Sequence, residues 1–190
     1  ITTEGATKAS GGANASAGGF LAMADNVINF TFENLVNNGD IISSTTALNA
    51  PAGGIVGYTY TGVKDQNTGL CTLTNCVNNG AILLQDESVP DGVTTRAAYI
   101  GGIVARSSDA NAAKLSGNTN NGTITVTSLT YNSGGRSMVG GIIARGRHFS
   151  EFNNNVNSAK GKITIGPMTN VYLGGIIGYS EGDHTISIDG

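Results

Sequence analysis

The sequence predicts an all-β protein, a right-handed parallel β-helix of about four to five coils with three short strands in each coil. Glycine and asparagine, two residues frequent in turns, account for 29 and 21 of the 190 residues, whereas charged residues make up only 12%. Short segments rich in β-branched residues are bounded by Gly or Asn, and no apolar pattern keeps helical spacing over ten residues. These segments also recur in a fixed order along the chain.

A glycine doublet followed by two large apolar residues and a small residue occurs five times, with 34 to 48 residues between successive copies. The five copies begin at residues 18, 53, 101, 140 and 174. Between them lies a second signature, Asn-Asn-Gly with an isoleucine two residues later, at 37–41, 78–82 and 120–124, with a degenerate copy at 159–163. A third short element precedes it, at 32–34, 73–75, 115–117 and 152–154. Three elements that recur in one order identify an internal repeat.

One such repeat cannot bury its own apolar face, but stacked copies can, as in a β-solenoid. Stacking predicts a buried column of Ile55, Ile103, Ile142 and Ile176, with Phe20 at its end. It also predicts a column whose side-chain amides bond along the axis, formed by Asn37, Asn78, Asn120 and Asn157. The alternative is a β-propeller, whose blades also have about 40–45 residues but need four strands.

The length fits one domain, residues 1–190, with a core of its own. The first residues, 1–3, match the third strand of a repeat, and the doublet at 174 opens a further repeat. We therefore expect a segment of a longer repeat array.

A net charge of −3 gives no reason to expect nucleic-acid binding, and no apolar run approaches the roughly 20 residues needed for membrane insertion.

The order Gly-Gly-Ile-Val-Gly, then a Leu/Phe-x-Asn strand, then Asn-x-Gly-x-Ile resembles the GLUG-motif repeats of bacterial surface proteins. The resemblance covers residues 1 to about 178 and is best between Gly53 and Ile82. It implies a solenoid from an adhesin-like protein that is extracellular or attached to the bacterial cell surface. It transfers no catalytic residue, because the repeat is a scaffold signature.

Few residues suggest catalysis or metal binding, and no cofactor is expected. His148 and His184 lie in predicted loops, the first among arginines and the second beside two acids. An acidic residue follows each doublet strand, but the number of residues between them differs from repeat to repeat. A glycosidase built on a β-helix would need two carboxylates about 5–9 Å apart. These acids are Asp25, Asp65, Asp109, Glu151 and Asp183. We interpret the histidines as exposed loop residues and the acids as solvated corner residues.

Cys71 and Cys76 are too few for a disulfide framework. A bond between them would need a corner, because an extended five-residue step spans more than about 15 Å. Cys76 aligns with Leu35 of the preceding repeat, which predicts a small buried thiol.

Basic residues cluster in the middle of the chain. Residues 96–162 hold eight of the ten basic residues and two acids, a local charge of +6 that predicts a basic band between acidic ends. The residue after the doublet strand is Met23 in the first copy and then Tyr58, Arg106, Arg145 and Tyr179. Stacking places the last four in one stripe, with the two arginines about 5 Å apart and repelling unless an acid or anion joins them.

The stripe is the candidate ligand-binding site: tyrosine rings can stack on sugars, and guanidinium groups suit carboxylates or sulfates. Alternatively, the arginines extend into water and the tyrosines merely cover the strand. The sequence thus favours a non-catalytic adhesin or stalk that binds an acidic glycan or a host or matrix protein on its flank. The alternatives are a polysaccharide-degrading enzyme on the same scaffold and a passive spacer.

Overall fold

The computed structural model describes residues 2–4, 16–25, 29–45, 49–60, 70–86, 97–108, 113–127, 136–168, 170–182 and 186. In these ranges the chain forms short β-strands and no helix, so no described helix could cross a membrane. The first eleven strands are β1 (Thr2–Glu4), β2 (Ala17–Gly18), β3 (Leu21–Asp25), β4 (Asn29–Glu33), β5 (Val36–Asn37), β6 (Ile41–Thr45), β7 (Asn49–Gly53), β8 (Val56–Tyr60), β9 (Leu70–Thr74), β10 (Val77–Asn78) and β11 (Ile82–Asp86). The others are β12 (Ala97–Gly101), β13 (Val104–Ser108), β14 (Ala113–Ser116), β15 (Thr119–Asn120), β16 (Ile124–Val126), β17 (Ser137–Gly140), β18 (Ile143–Arg147), β19 (Phe149–Asn153), β20 (Val156–Asn157), β21 (Ile163–Ile165), β22 (Val171–Gly174) and β23 (Ile177–Glu181).

The strands form five parallel sheets, and each sheet takes one strand from each coil. We number the sheets around the coil from the strand that precedes the glycine doublet. They are sheet 1 (β2, β7, β12, β17, β22), sheet 2 (β3, β8, β13, β18, β23), sheet 3 (β4, β9, β14, β19), sheet 4 (β5, β10, β15, β20) and sheet 5 (β1, β6, β11, β16, β21). Each strand pairs with the equivalent strand of the next repeat, so the chain is a parallel β-helix and the alternative β-propeller is wrong.

The coil has five strands where the sequence predicted three. The prediction identified sheets 2, 3 and 5 but assigned the strands of sheet 1 to variable corners, because they share no residue pattern. Residues 49–53 read NAPAG and residues 97–101 read AAYIG, although the two strands pair residue by residue. The strands of sheet 4 are only two residues long, too short for an alternating pattern to show.

The asparagine column is confirmed. Each side-chain amide donates to the side-chain oxygen of the next coil and also to the carbonyl of the corner glycine in its own coil. The inter-coil distances are 2.8 Å from Asn37 to Asn78, 2.9 Å from Asn78 to Asn120 and 2.9 Å from Asn120 to Asn157. We call this set the buried ladder, since Asn78 and Asn120 are wholly buried. A parallel exposed ladder joins Asn121 to Asn79 and Asn79 to Asn38.

The glycine doublet and the Asn-Asn-Gly signature recur together because they touch. A Cβ on Gly54 would collide with the side chain of Asn78 and with the backbone oxygen of Gly102. The next coil repeats the arrangement, with Gly102 against Asn120. Only a residue without a side chain lets the doublet approach the buried ladder this closely.

Sheets 3 and 4 are joined by a residue in the left-handed backbone conformation, which asparagine and glycine adopt most readily. Asn34, Asn75 and Asn154 hold this position with φ between 50° and 56°. Gly117 departs from the asparagine of the motif, yet it keeps the conformation with φ 68°. The turn is therefore regular despite the substitution.

Two buried apolar clusters fill the interior. The isoleucine column is confirmed: Ile55, Ile103 and Ile142 are fully buried, and Ile176 packs against them at the C-terminal end. Backbone hydrogen bonds of 2.9–3.0 Å join each of these residues to the next. The Phe20 backbone continues the series, but its side chain is 49% exposed.

Both cysteines are free and buried. Cys71 belongs to an interior cluster, and desolvation raises the pKa of its thiol far above the usual value. Cys76 is fully buried, as predicted, and its Sγ lies 3.5 Å from the Thr74 carbonyl oxygen. Burial also raises the pKa of this thiol.

Candidate ligand-binding groove

The predicted stripe exists in the structure. Parallel pairing of β8, β13, β18 and β23 aligns Tyr58 with Arg106, Arg106 with Arg145, and Arg145 with Tyr179. Met23 precedes Tyr58 in the same register. Three strand spacings give this row a length of about 14 Å.

A second row faces the first and was missed from the sequence. Pairing within sheet 1 aligns Pro51, Tyr99, Met138 and Tyr172, which are the residues two positions before each doublet. Their neighbours Ala98, Ile100 and Val139 pack in the interior, so alternation along the strands points this row outward. The position relative to the doublet was the available signal, but the four side chains differ too much to reveal it.

The two rows meet at a concave corner. Tyr99 and Met138 of sheet 1 pack with Ala105 and Ala144 of sheet 2 in a buried cluster separate from the interior, and Tyr179 packs against it. Outward faces of consecutive sheets contact each other only where the outer surface is concave. The small residue that ends the doublet signature, here alanine, makes room for this approach. We call the resulting channel the Arg–Tyr groove, lined by Tyr58, Tyr99, Arg106, Met138, Arg145, Arg147, Tyr172, Tyr179 and Glu181.

Arg106 lies at the centre of the groove, between two aromatic rings. Its guanidinium carbon is 4.9 Å from the ring centre of Tyr58 and 4.9 Å from that of Tyr99. Such cation–π contacts stabilise a guanidinium without neutralising its charge. No described residue forms an ion pair or hydrogen bond with Arg106, and its Nε is buried without a partner.

Glu181 neutralises part of the charge of the two other arginines. Its Oε1 accepts a hydrogen bond from Nη2 of Arg145 at 2.6 Å and also forms an ion pair with Nε of Arg147. These side chains are 17% to 35% exposed. Burial alone would raise the pKa of Glu181, but the hydrogen bond and charge of Arg145, with the charge of Arg147, hold it below the usual value. The carboxylate is therefore ionised at neutral pH.

Tyrosines close the C-terminal end of the groove. The rings of Tyr172 and Tyr179 are 5.2 Å apart across it, and the guanidinium of Arg136 lies 5.9 Å from the ring centre of Tyr172. The groove therefore combines guanidinium groups with an exposed aromatic ring, Tyr172, at this end, whereas Tyr58 and Tyr99 are buried. This combination suits sugar rings that carry anionic groups.

The expected repulsion between stacked arginines is relieved in a way the sequence did not predict. An acid joins Arg145 to Arg147 of the same strand, whereas Arg106 lies between rings. The arginines do not extend freely into water. Glu181 and Arg147 each lie seven residues after the first glycine of a doublet, so their alignment could have been counted from the sequence, whereas the contact of Glu181 with Arg145 could not.

The basic band is divided among several faces. Four of its arginines, including Arg136, lie in or beside the groove. Lys114 forms a 2.7 Å ion pair with Glu151 on sheet 3, and this partner lowers the pKa of Glu151. Lys160 and Lys162 are exposed near the end of the buried ladder. Arg96 lies outside the described residues.

The other chemical candidates form no site within the described ranges. His148 is half-buried between β18 and β19, and no described group of three metal-ligating side chains is present. Glu151 pairs with Lys114 instead of a second acid. His184, Asp65, Asp109, Asp183 and the side chain of Asp25 lie outside what the structure describes.

Comparison with known proteins gives no assignment. No protein family model matches the chain, and no curated protein or solved structure is similar to it.

Proposed function

We propose that this chain is a non-catalytic repeat domain of an extracellular or cell-surface bacterial protein and that it binds an acidic glycan in the Arg–Tyr groove. The surface location rests on the resemblance to GLUG-motif repeats. The ligand class rests on the groove, where aromatic rings and guanidinium groups share one concave face. Solenoid flanks offer extended surfaces of this kind to extended ligands.

The observation that carries the proposal is the setting of Arg106. Its charge has no acidic partner among the described residues, and tyrosine rings flank it on two sides. A guanidinium presents its N–H groups as a planar fork that matches a carboxylate or sulfate. An anionic group on a sugar would supply the missing acceptor, while the glycan extends along the groove toward the exposed ring of Tyr172.

The test is binding of the whole chain to soluble polysaccharides, measured by isothermal titration calorimetry. The panel contains polygalacturonate, hyaluronate and neutral dextran. We expect binding to an acidic polymer but not to dextran. Arg106→Ala should weaken this binding by about 10- to 100-fold, since hydrogen bonds to charged groups contribute about 1.5–3 kcal/mol.

Lys114→Ala is the matched control, because it removes one positive charge from sheet 3, outside the groove. It should leave the affinity within about twofold if the groove is the site. Equal losses in the two variants would reject the groove. Absence of binding by the wild-type chain would favour the spacer, and release of reducing ends from the polymer would favour the enzyme.

A further inference from the structure

Among the described residues, the groove holds three arginines and one acid, and the acid is unevenly placed. Glu181 contacts Arg145 and Arg147 but not Arg106. The four side chains thus carry two net positive charges, one of them on Arg106 alone. The other is shared by Arg145 and Arg147 around the carboxylate of Glu181, so Arg106 is the arginine of the three whose charge no described acid neutralises.

We infer that Glu181 is a specificity-determining residue, which makes the groove select glycans with isolated carboxylates over densely sulfated glycans. The inference rests on the proposed function. It names the ligand class within the acidic glycans, and it assigns a role to a residue that the sequence did not single out.

Arg106 is the residue that an anionic group of the ligand would contact. One carboxylate can occupy the guanidinium fork, and the buried rings of Tyr58 and Tyr99 that contact this guanidinium offer no second cation, so the part of the ligand beside that carboxylate should be uncharged. A glycan with one carboxylate per disaccharide meets both conditions. The next carboxylate of such a glycan lies one disaccharide away, beyond the rings of Tyr58 and Tyr99.

A densely sulfated chain has a different pattern of charge. Its sulfates would lie along the row from Arg106 to Arg145, where adjacent strands are about 4.8 Å apart. There the ligand meets Glu181, which already forms ion pairs with both remaining arginines. A sulfate bound there would either be repelled by the Glu181 carboxylate or have to break its two part-buried ion pairs. Each of these effects weakens binding of the sulfated chain.

The experiment compares hyaluronate, with one carboxylate per disaccharide, and heparin, with several sulfates per disaccharide. Affinities for the whole chain are measured by calorimetry at about 0.15 M salt, where charges beyond roughly 8 Å are screened. The wild-type chain should bind hyaluronate more tightly. Glu181→Gln should raise the affinity for heparin by about four- to tenfold and raise that for hyaluronate by a clearly smaller factor.

Two further variants separate this effect from general changes in charge or folding. Glu151→Gln, which removes an acid from sheet 3, should change neither affinity. Arg147→Gln removes a positive charge and leaves Glu181 with Arg145 as its arginine partner, so it should weaken heparin binding by a larger factor than hyaluronate binding. Melting temperatures confirm that each variant is folded.

The outcomes distinguish the inference from the function on which it rests. If the wild-type chain binds hyaluronate but Glu181→Gln shifts both polymers equally, or neither, the specificity role is rejected and the binding function stands. Stronger binding of heparin than of hyaluronate by the wild-type chain also rejects the role. If a folded wild-type chain binds neither polymer, both proposals are rejected.

Discussion

Replacing Asn78 by leucine tests whether the buried ladder stabilises the coil. The amide of Asn78 donates to Asn120 and to the Gly80 carbonyl, both at 2.9 Å, and its oxygen accepts from Asn37 at 2.8 Å. Leucine has a similar volume and none of these bonds. At about 1 kcal/mol for each bond, we expect a loss of about 3 kcal/mol in the free energy of unfolding. The melting temperature should then fall by about 6–12 °C.

Asn79→Leu is the matched control for this prediction. Asn79 belongs to the same signature and also bonds to the coils on both sides, but its ladder is exposed. Water can replace those bonds, so the expected loss is below about 1 kcal/mol. Both variants are measured by thermal and denaturant unfolding. Equal losses would show that burial of the ladder contributes nothing, and the reasoning would be refuted.

The remaining predictions concern the interior. Ile103→Ala should cost about 2–5 kcal/mol because the side chain is fully buried in mid-column, whereas Phe20→Ala, at an exposed end, should cost less than half as much. Denaturant unfolding measures both, and equal costs would contradict the column. Cys71 should react with a thiol reagent only after unfolding, because it is buried and desolvation keeps it protonated. Labelling of the native chain at the rate found in denaturant would contradict this.

The columns could be predicted because a parallel stack converts a sequence repeat directly into spatial register. Once the doublets were aligned, the partners of Ile103 and Arg106 followed from counting residues. Contacts across the coil could not be found in this way. Gly54 and Asn78 are in different signatures, and Gly102 and Asn120 are separated by a different number of residues, so only the closed coil shows that each pair touches.

The groove was only half predictable for a related reason. The arginine row follows a marked strand, but the opposite row has Pro51, Tyr99, Met138 and Tyr172 at equivalent positions. These residues share only their place before the doublet and their outward direction, and neither property leaves a pattern of residue types. Long charged side chains add a further difficulty, since the contact of Glu181 with Arg145 depends on rotamers that the sequence does not specify.

The buried ladder also bears on how such a chain can change length during evolution. All of its bonds have the same polarity: each amide donates to the asparagine of the coil that follows, so Asn78 and Asn120 both donate and accept along the axis. Duplication or deletion of a whole coil therefore adds or removes one amide donor together with one amide acceptor. The asparagines of the coils on either side can then bond to their new neighbours. An insertion within the corner is tolerated where the amide keeps its position, as in the fourth repeat, where two extra residues separate Asn157 from Gly161 and the 2.9 Å bonds to Asn120 and Gly161 remain. Selection on this one column would preserve the coil as the unit of gain and loss, while the connections between strands drift in length.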